Sequence, residues 1–132
     1  MQTIEVRTNE KLEFINITSQ VKKALSSGAL ERGLLIVFVP HTSAGITINE
    51  NADPTVETDI VKDLTRLLPG AQKYYEHFEG NSASHTMASM VGSSITIIVE
   101  DGQLALGRWQ GIFFCEFDGP RSRQVHVSWV GE

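Results

Sequence analysis

A single cysteine, Cys115, stands in 132 residues, so no internal disulfide framework can hold this chain, and the composition suits a reducing compartment. Apolar runs long enough to cross a bilayer are missing, as is the shorter apolar stretch of a secretory leader. The expectation is therefore a cytoplasmic protein without membrane contact. Clusters of Lys or Arg are missing too. With 11 basic against 16 acidic residues the formal net charge is -5, which argues against nucleic acid as a partner, since such surfaces carry a basic stripe. No repeat, low-complexity tract or linker divides the sequence. At this length, with 41% hydrophobic residues, one domain spanning 1–132 with one ordinary core is expected.

What is present is strand-rich. Thr3 to Arg7 and Leu12 to Ile17 read as short strands joined in a hairpin at Asn9-Glu10-Lys11. Thr18-Ser19 caps a helix with Val21, Leu25 and Leu30 on one stripe, and Gly28 and Gly33 bracket its end. The most apolar run, Leu34-Leu35-Ile36-Val37-Phe38-Val39, is short and β-branched, which suits a buried strand. Gly45 to Asn49 alternates, with Thr47 and Asn49 on a wet face. The longest helix runs from Asp53, a good N-cap before Pro54, to Leu68, with Val56, Ile60, Leu64 and Leu67 on its apolar face and Pro69-Gly70 as its stop. A short helix capped by Ser82 or Ser84 carries His85, Met87 and Met90. Ser94 to Glu100 turns at Asp101-Gly102 into Gln103 to Leu106, and Trp109 to Phe117 and Gln124 to Val130 follow, divided by Asp118-Gly119-Pro120. Many strands with two main helices imply an α+β domain with a largely antiparallel or mixed sheet and its helices on one side. Ile112, Phe113, Phe114, Phe117 and Trp129 exceed what one inner sheet face needs, so neighbouring subunits are expected to cover some of them.

Reactive side chains gather in two stretches. HTSAGITINENADPTVETD, from His41, crowds His41, Thr42, Ser43, Asn49, Glu50, Asn51 and Asp53 beside the buried run. YYEHFEGNSASHTMASMVG, from Tyr74, sets His77 and His85 around Glu79, Gly80 and Asn81. Three imidazoles with an open position are one way to hold a catalytic metal, although the spacing of His77 and His85 matches no standard zinc signature. Zinc would favour His41, His77 and His85, whereas Mg2+ would favour Glu50 or Glu79; the same carboxylates are candidate general bases. The backbone N–H groups from Ser82 to His85 offer a start for binding phosphate, with Arg121 or Arg123 as mobile counter-charges. His126, between Val125 and Val127, reads as structural.

HTSAGITINENADPTVETD, then HFEGNSASH, then GRWQGIFFCEFDGPRSR, in this order and spacing, resemble the YjbQ-like family, known as secondary thiamine phosphate synthase enzymes. The resemblance covers nearly the whole chain. It implies a small sandwich-like α+β protein, a homotrimer with sites near subunit boundaries, and weak activity joining hydroxymethyl-pyrimidine diphosphate to thiazole phosphate. Carried over by motif, His41, His77 and His85 are the site histidines and candidate metal ligands, and Asn49, Glu50, Asn51 and Glu79 are candidate catalytic residues. Asn81, Ser82, Ser84, Trp109, Gln110 and Arg121 are candidates for holding a phosphorylated small molecule. A divalent metal is expected, zinc ahead of Mg2+, and no organic cofactor. This chain departs from the pattern at His85-Thr86-Met87, where members often have His-Ile-Lys, and at Gly107-Arg108-Trp109, where they often have Gly-Thr-Trp; Arg108 is a candidate to replace the missing Lys charge. A metal- or metabolite-binding module with incidental catalysis, and a hydrolase using metal-bound water, are the competing expectations.

Overall fold

Val37, Val99, Val125 and Val127 come from three strands, point the same way and are shielded from solvent, and the larger sheet is built around them. The computed structural model describes residues 1–132. The larger sheet runs in the order β1 (Gln2–Arg7), β8 (Ser122–Gly131), β3 (Gly33–Phe38), β5 (Ser94–Glu100), β6 (Gln103–Leu104). A second sheet of three strands, β2 (Glu13–Asn16), β7 (Gln110–Glu116) and β4 (Ala44–Glu50), packs against it. Every pairing is antiparallel. The α+β class is as expected, and of the two sheet types anticipated the antiparallel one is realised. No helix is long and apolar enough to cross a membrane.

Between the sheets, Leu35, Val37, Ile97 and Val99 meet Ala44, Ile46, Ile112 and Phe114. Helix α1 (Thr18–Gly28) adds Val21, Ala24 and Leu25 to the same core. It touches both β1 and β6, the opposite edges of the larger sheet, so that sheet curls and α1 closes the gap. Helices α2 (Pro54–Leu67) and α3 (Ser82–Val91) lie on the outer face of the smaller sheet, where Leu64 and Met87 pack on Cys115 and Phe117. The helices therefore do not share one side, contrary to the expectation drawn from their stripes. An apolar stripe says that a helix is covered; it does not say by which sheet.

Strand β7 is thus enclosed on both faces. Ile112 and Phe114 face the main core, Phe113, Cys115 and Phe117 face the other way, and all are buried within one chain. They need no neighbouring subunit, contrary to expectation. Four apolar side chains instead lie uncovered together on the outer face of the larger sheet: Leu34 and Phe38 are 44% and 43% exposed, Ile98 59%, Val130 60%. Trp129 lies against Gly28, where a Cβ would come within 2.2 Å of its ring.

Local chemistry explains the element ends. Asp53 accepts from the Thr55 N–H at 2.9 Å with Pro54 following, as anticipated for α2. Helix α1 is capped from Asn16, whose Oδ1 accepts from the Thr18 N–H at 3.0 Å, while the Thr18 hydroxyl instead accepts from the Ile112 N–H at 2.8 Å. The β5–β6 turn has positive φ at Asp101 (53°) and Gly102 (72°), matching the twist of a two-residue hairpin. Strands β1 and β2 do not form the expected hairpin. β1 pairs with β8 and β2 with β7, because the chain crosses between sheets at Thr8, and turn residues record a reversal without recording the partner. At the free edge of β4 the end of α3 closes in: the Ile46 N–H donates to the Gly92 carbonyl at 3.1 Å, and a Cβ on Gly45 would come within 2.7 Å of that oxygen.

One polar network joins the layers. Glu116, at the end of β7, pairs with Arg123 on β8, both buried. Glu116 also accepts from the Thr8 hydroxyl at 2.8 Å and from the Phe117 and Asp118 N–H groups at 3.1 Å each. Arg123 donates in addition to the Ser43 hydroxyl at 3.0 Å, just before β4. Burial alone would raise the Glu116 pKa, but its bonds from Arg123, Thr8 and Asp118 outweigh it and hold the carboxyl below its ordinary value. Arg123→Met leaves that carboxylate buried without a counter-charge and should cost about 3 to 5 kcal/mol in denaturant unfolding. Adding Glu116→Leu should recover much of the loss; a double variant no more stable than Arg123→Met would contradict this account.

Candidate functional site

Strand β3 pairs with β8 as far as Phe38 opposite His126, and Pro40 then turns the backbone away. The His41 side chain takes over where the strand leaves off, its Nε2 accepting from the Gln124 N–H at 2.9 Å. A backbone amide can only donate, so in the neutral ring the proton sits on Nδ1. Burial, then the charge of Arg123, holds the His41 pKa below its ordinary value and favours that neutral form. Across a groove, His85 on α3 donates from Nδ1 to the Thr42 carbonyl at 2.9 Å, which leaves the Nε2 lone pair of the neutral ring free. The groove measures about 360 Å³ and is lined by His41, Thr42, Ala44 and His85 with Ala88, Ser89, Gly92 and Ser93. His77 is exposed beside it, its ring 5.5 Å from that of His85 and nearly edge-on.

The three histidines thus gather on one side of the molecule, His41 and His85 lining the groove and His77 beside it. No group of three or more His, Cys, Asp or Glu side chains is placed to hold a metal ion. The reason is visible at His41: one nitrogen is committed to Gln124 and the other is protonated, so the ring has no lone pair to give. His85, with its Nδ1–H on a backbone carbonyl, presents a free acceptor in the orientation that metal ligands adopt.

At the amino end of α3 the polar side chains serve one another. Asp118 accepts from Asn81 Nδ2 at 2.9 Å, Lys11 Nζ at 2.9 Å and Arg121 Nη2 at 3.0 Å. Burial pushes the Asp118 carboxyl up, but these bonds outweigh it and lower its pKa to about 2. Arg121 is therefore tied to Asp118, and Arg123 is buried against Glu116; neither is the mobile counter-charge expected. Ser84 donates to the Phe117 carbonyl at 2.7 Å, and neither it nor Ser82 caps the helix, whose N-cap position is Asn81. The Asn81 Oδ1 is buried without a partner. Glu79 is exposed on the preceding turn. Met87 faces the cluster under α2 and α3, so a residue at 87 points away from the groove.

The remaining candidates lie elsewhere. Strand β4 opposes Glu116 at Ala44 and Gln110 at Glu50, so Asn49 and Glu50 sit at its far end, roughly 20 Å from the histidine end by strand rise. There the Asn51 N–H donates to the Trp109 carbonyl at 2.9 Å, and Gln110 accepts from the Gly107 N–H at 2.7 Å. Arg108 lies 4.8 Å over the Trp109 ring. Glu50 is thus no base for the imidazoles of its own chain. Sequence reasoning passed over Glu116, the carbonyl of Thr42 and the N–H of Gln124. For Glu116 a signal existed, a lone carboxylate inside the run Ile112 to Phe117; for the carbonyl of Thr42 and the N–H of Gln124 there was none, since any residue supplies them.

Comparison with known proteins is consistent from end to end. Residues 2–132 match the family described as UPF0047 protein YjbQ-like. A UPF0047 protein of Methanocaldococcus jannaschii is 48% identical over 97% of this chain and 92% of its own. UPF0047 protein YugU of Bacillus subtilis is 44% identical over 99% of both. Among crystal structures, an uncharacterized YjbQ/UPF0047 protein of Clostridium acetobutylicum superimposes with a TM-score of 0.95 at 49% identity, covering 98% of this chain and 100% of that one. A YbjQ-like protein of unknown function from Sulfolobus solfataricus gives 0.94 at 30% identity, covering 99% and 96%.

Asp118 makes the site's pH dependence testable. Its folded pKa is depressed, so its contribution is present above the ordinary value of 3.8 and is lost as pH falls towards about 2. Asp118→Asn should lower stability at pH 6 by on the order of 2 kcal/mol and flatten the stability curve between pH 4 and pH 2, read by denaturant titration at each pH. An unchanged acid limb would show that the Asn81–Lys11–Arg121 cluster contributes no net ionic stabilisation.

Proposed function

The chain belongs to the UPF0047 YjbQ-like family, and from that premise we propose that it is a cytoplasmic homotrimeric enzyme with weak thiamine phosphate synthase activity. It joins hydroxymethyl-pyrimidine diphosphate to thiazole phosphate. Loss of the diphosphate leaves a benzylic-type cation that the thiazole nitrogen captures, so the protein's task is to hold two partners in line and to exclude water. Mg2+ enters as the companion of the diphosphate substrate, since it binds through phosphates and keeps most of its waters. The observation that carries the reading is the groove: two of the three motifs of the resemblance are tied together by the His85–Thr42 bond, with two ring nitrogens left unused beside an opening of small-molecule size.

The uncovered face bearing Leu34, Phe38, Ile98 and Val130 supports assembly, because an apolar sheet face of this kind is costly to leave in water. Assembly also bears on the site. The Asn49-Glu50-Asn51 end of β4 in one copy is free to meet the histidine end of another, which would reunite residues that a single chain keeps apart. A second reading, a metabolite-binding module with incidental turnover, is favoured by one feature: no carboxylate lines the groove to act as a base.

His85→Ala should lower thiamine phosphate formation at least 10-fold while leaving the unfolding midpoint nearly unchanged; undiminished turnover would remove the groove from the reaction. In light scattering at micromolar concentration the protein should have three times the mass of the chain, and Ile98→Asp should shift it towards monomer. A wild-type monomer would end the trimer reading. Elemental analysis separates the alternatives further: stoichiometric zinc lost in His77→Ala would favour a metal-binding module.

A further inference from the structure

Strand β1 ends the larger sheet, paired with β8 on one side and with no strand on the other. An edge of this kind presents unpaired N–H and C=O groups that can template another chain, and proteins usually cover or blunt it. At β4 the Gly92 carbonyl takes one such group. Along β1 no loop or side chain does the same, so the backbone groups on its free side have no partner in the chain.

Beside that free side runs a groove of about 280 Å³, with α1 as its far wall, and it shares no lining residue with the histidine groove. Gln2, Thr3 and Ile4 all line it. Successive strand residues point to opposite faces, so a cavity that meets three in a row meets the edge of the strand and not one of its faces. Thr3 fits this: its hydroxyl is engaged with His126 Nδ1 at 3.1 Å, and the main chain is what it has left to offer. On the opposite wall Gln20, Lys23 and Ser27 stand at helical spacing along one stripe of α1. Lys23 is exposed and enters no ion pair. No Asp or Glu lines the groove, although the chain as a whole carries a net charge of -5.

An open edge binds an extended peptide by strand addition, in which main-chain hydrogen bonds give affinity and side-chain contacts give selectivity. Here the groove meets only the first half of β1, roughly 10 Å of strand, which suits a chain end better than a passing segment. A chain end also carries a carboxylate, the group that the lone Lys23 is placed to receive. We propose that β1 and α1 form a docking groove for the carboxyl-terminal end of a partner polypeptide, which adds as a short strand beside Gln2 to Ile4 and sets its terminal carboxylate against Lys23.

The probe is the peptide acetyl-Thr-Val-Thr-Val with a free carboxyl end, titrated into the millimolar range into the 15N-labelled full-length protein. The amide resonances of Gln2 to Ile4 should shift and their hydrogen exchange should slow. The same peptide N-methylated at alternate residues cannot pair as a strand and should bind about 10-fold more weakly. Amidating the carboxyl end should weaken binding about threefold, the scale of an exposed ion pair. Lys23→Gln should erase that difference while leaving the unfolding midpoint and the affinity for the amidated peptide unchanged. Absence of shifts at β1, equal binding of the methylated peptide, or a carboxylate preference that survives Lys23→Gln overturns the inference. So does acetyl-Thr-Glu-Thr-Val-amide binding as tightly as the free-ended probe, since the groove would then be reading an acidic side chain and not a chain end.

Discussion

The buried pair of Glu116 and Arg123 is the constraint on which the arrangement of this protein depends. Two charges withdrawn from water are tolerable only when each finds a full set of partners, and here those partners come from four separate places: Thr8 at the crossing between sheets, Ser43 before β4, and the ends of β7 and β8. None of these segments can shift alone without leaving a buried ion short of a bond. Next to Arg123 in sequence is Gln124, whose N–H fixes the His41 tautomer, and two residues before Ser43 is His41 itself. The positions of the groove's chemical groups are therefore inherited from an ion pair that never touches the groove.

Periodicity made the strands and α2 legible in the sequence. The run from Leu34 to Val39 and the β-branched segment from Ser94 to Glu100 became neighbouring strands in register, and Asp53-Pro54 started a helix as its chemistry requires. What stayed hidden was partnership. Asn9-Glu10-Lys11 has the composition of a hairpin turn, yet it carries the chain from one sheet to another, because the partners of β1 and β2 lie 97 to 125 residues away. The burial of Phe113 and Phe117 within one chain was hidden for the same reason: only the packing of α2 and α3 decides whether the second face of β7 is core.

The candidate site was half legible. His41 and His85 share a groove and His77 stands beside it, a convergence that residue type suggested and spacing could not demonstrate. Their protonation was beyond the sequence altogether, since it is set by the Gln124 N–H and the Thr42 carbonyl, groups that every residue has. Asn49, Glu50 and Asn51 were grouped with His41 because they are close along the chain. An extended strand separates what a helix or turn would have gathered, and six residues of β4 carry them to the opposite end.

The contact between Gly45 and Gly92 has a further consequence. Strand β4 lies at the edge of the smaller sheet, and an edge strand presents unpaired backbone groups that another chain's strand can adopt. The Gly92 carbonyl, brought in by the end of α3, occupies one of those groups at Ile46, and only a residue without a side chain at Gly45 lets it come so near. The helix that forms one wall of the groove is thus also the guard on a sticky edge. Any motion that widens the groove by swinging α3 outward bares that edge at the same time, so freedom to admit larger ligands and resistance to fibrous self-association are set against each other by a single glycine.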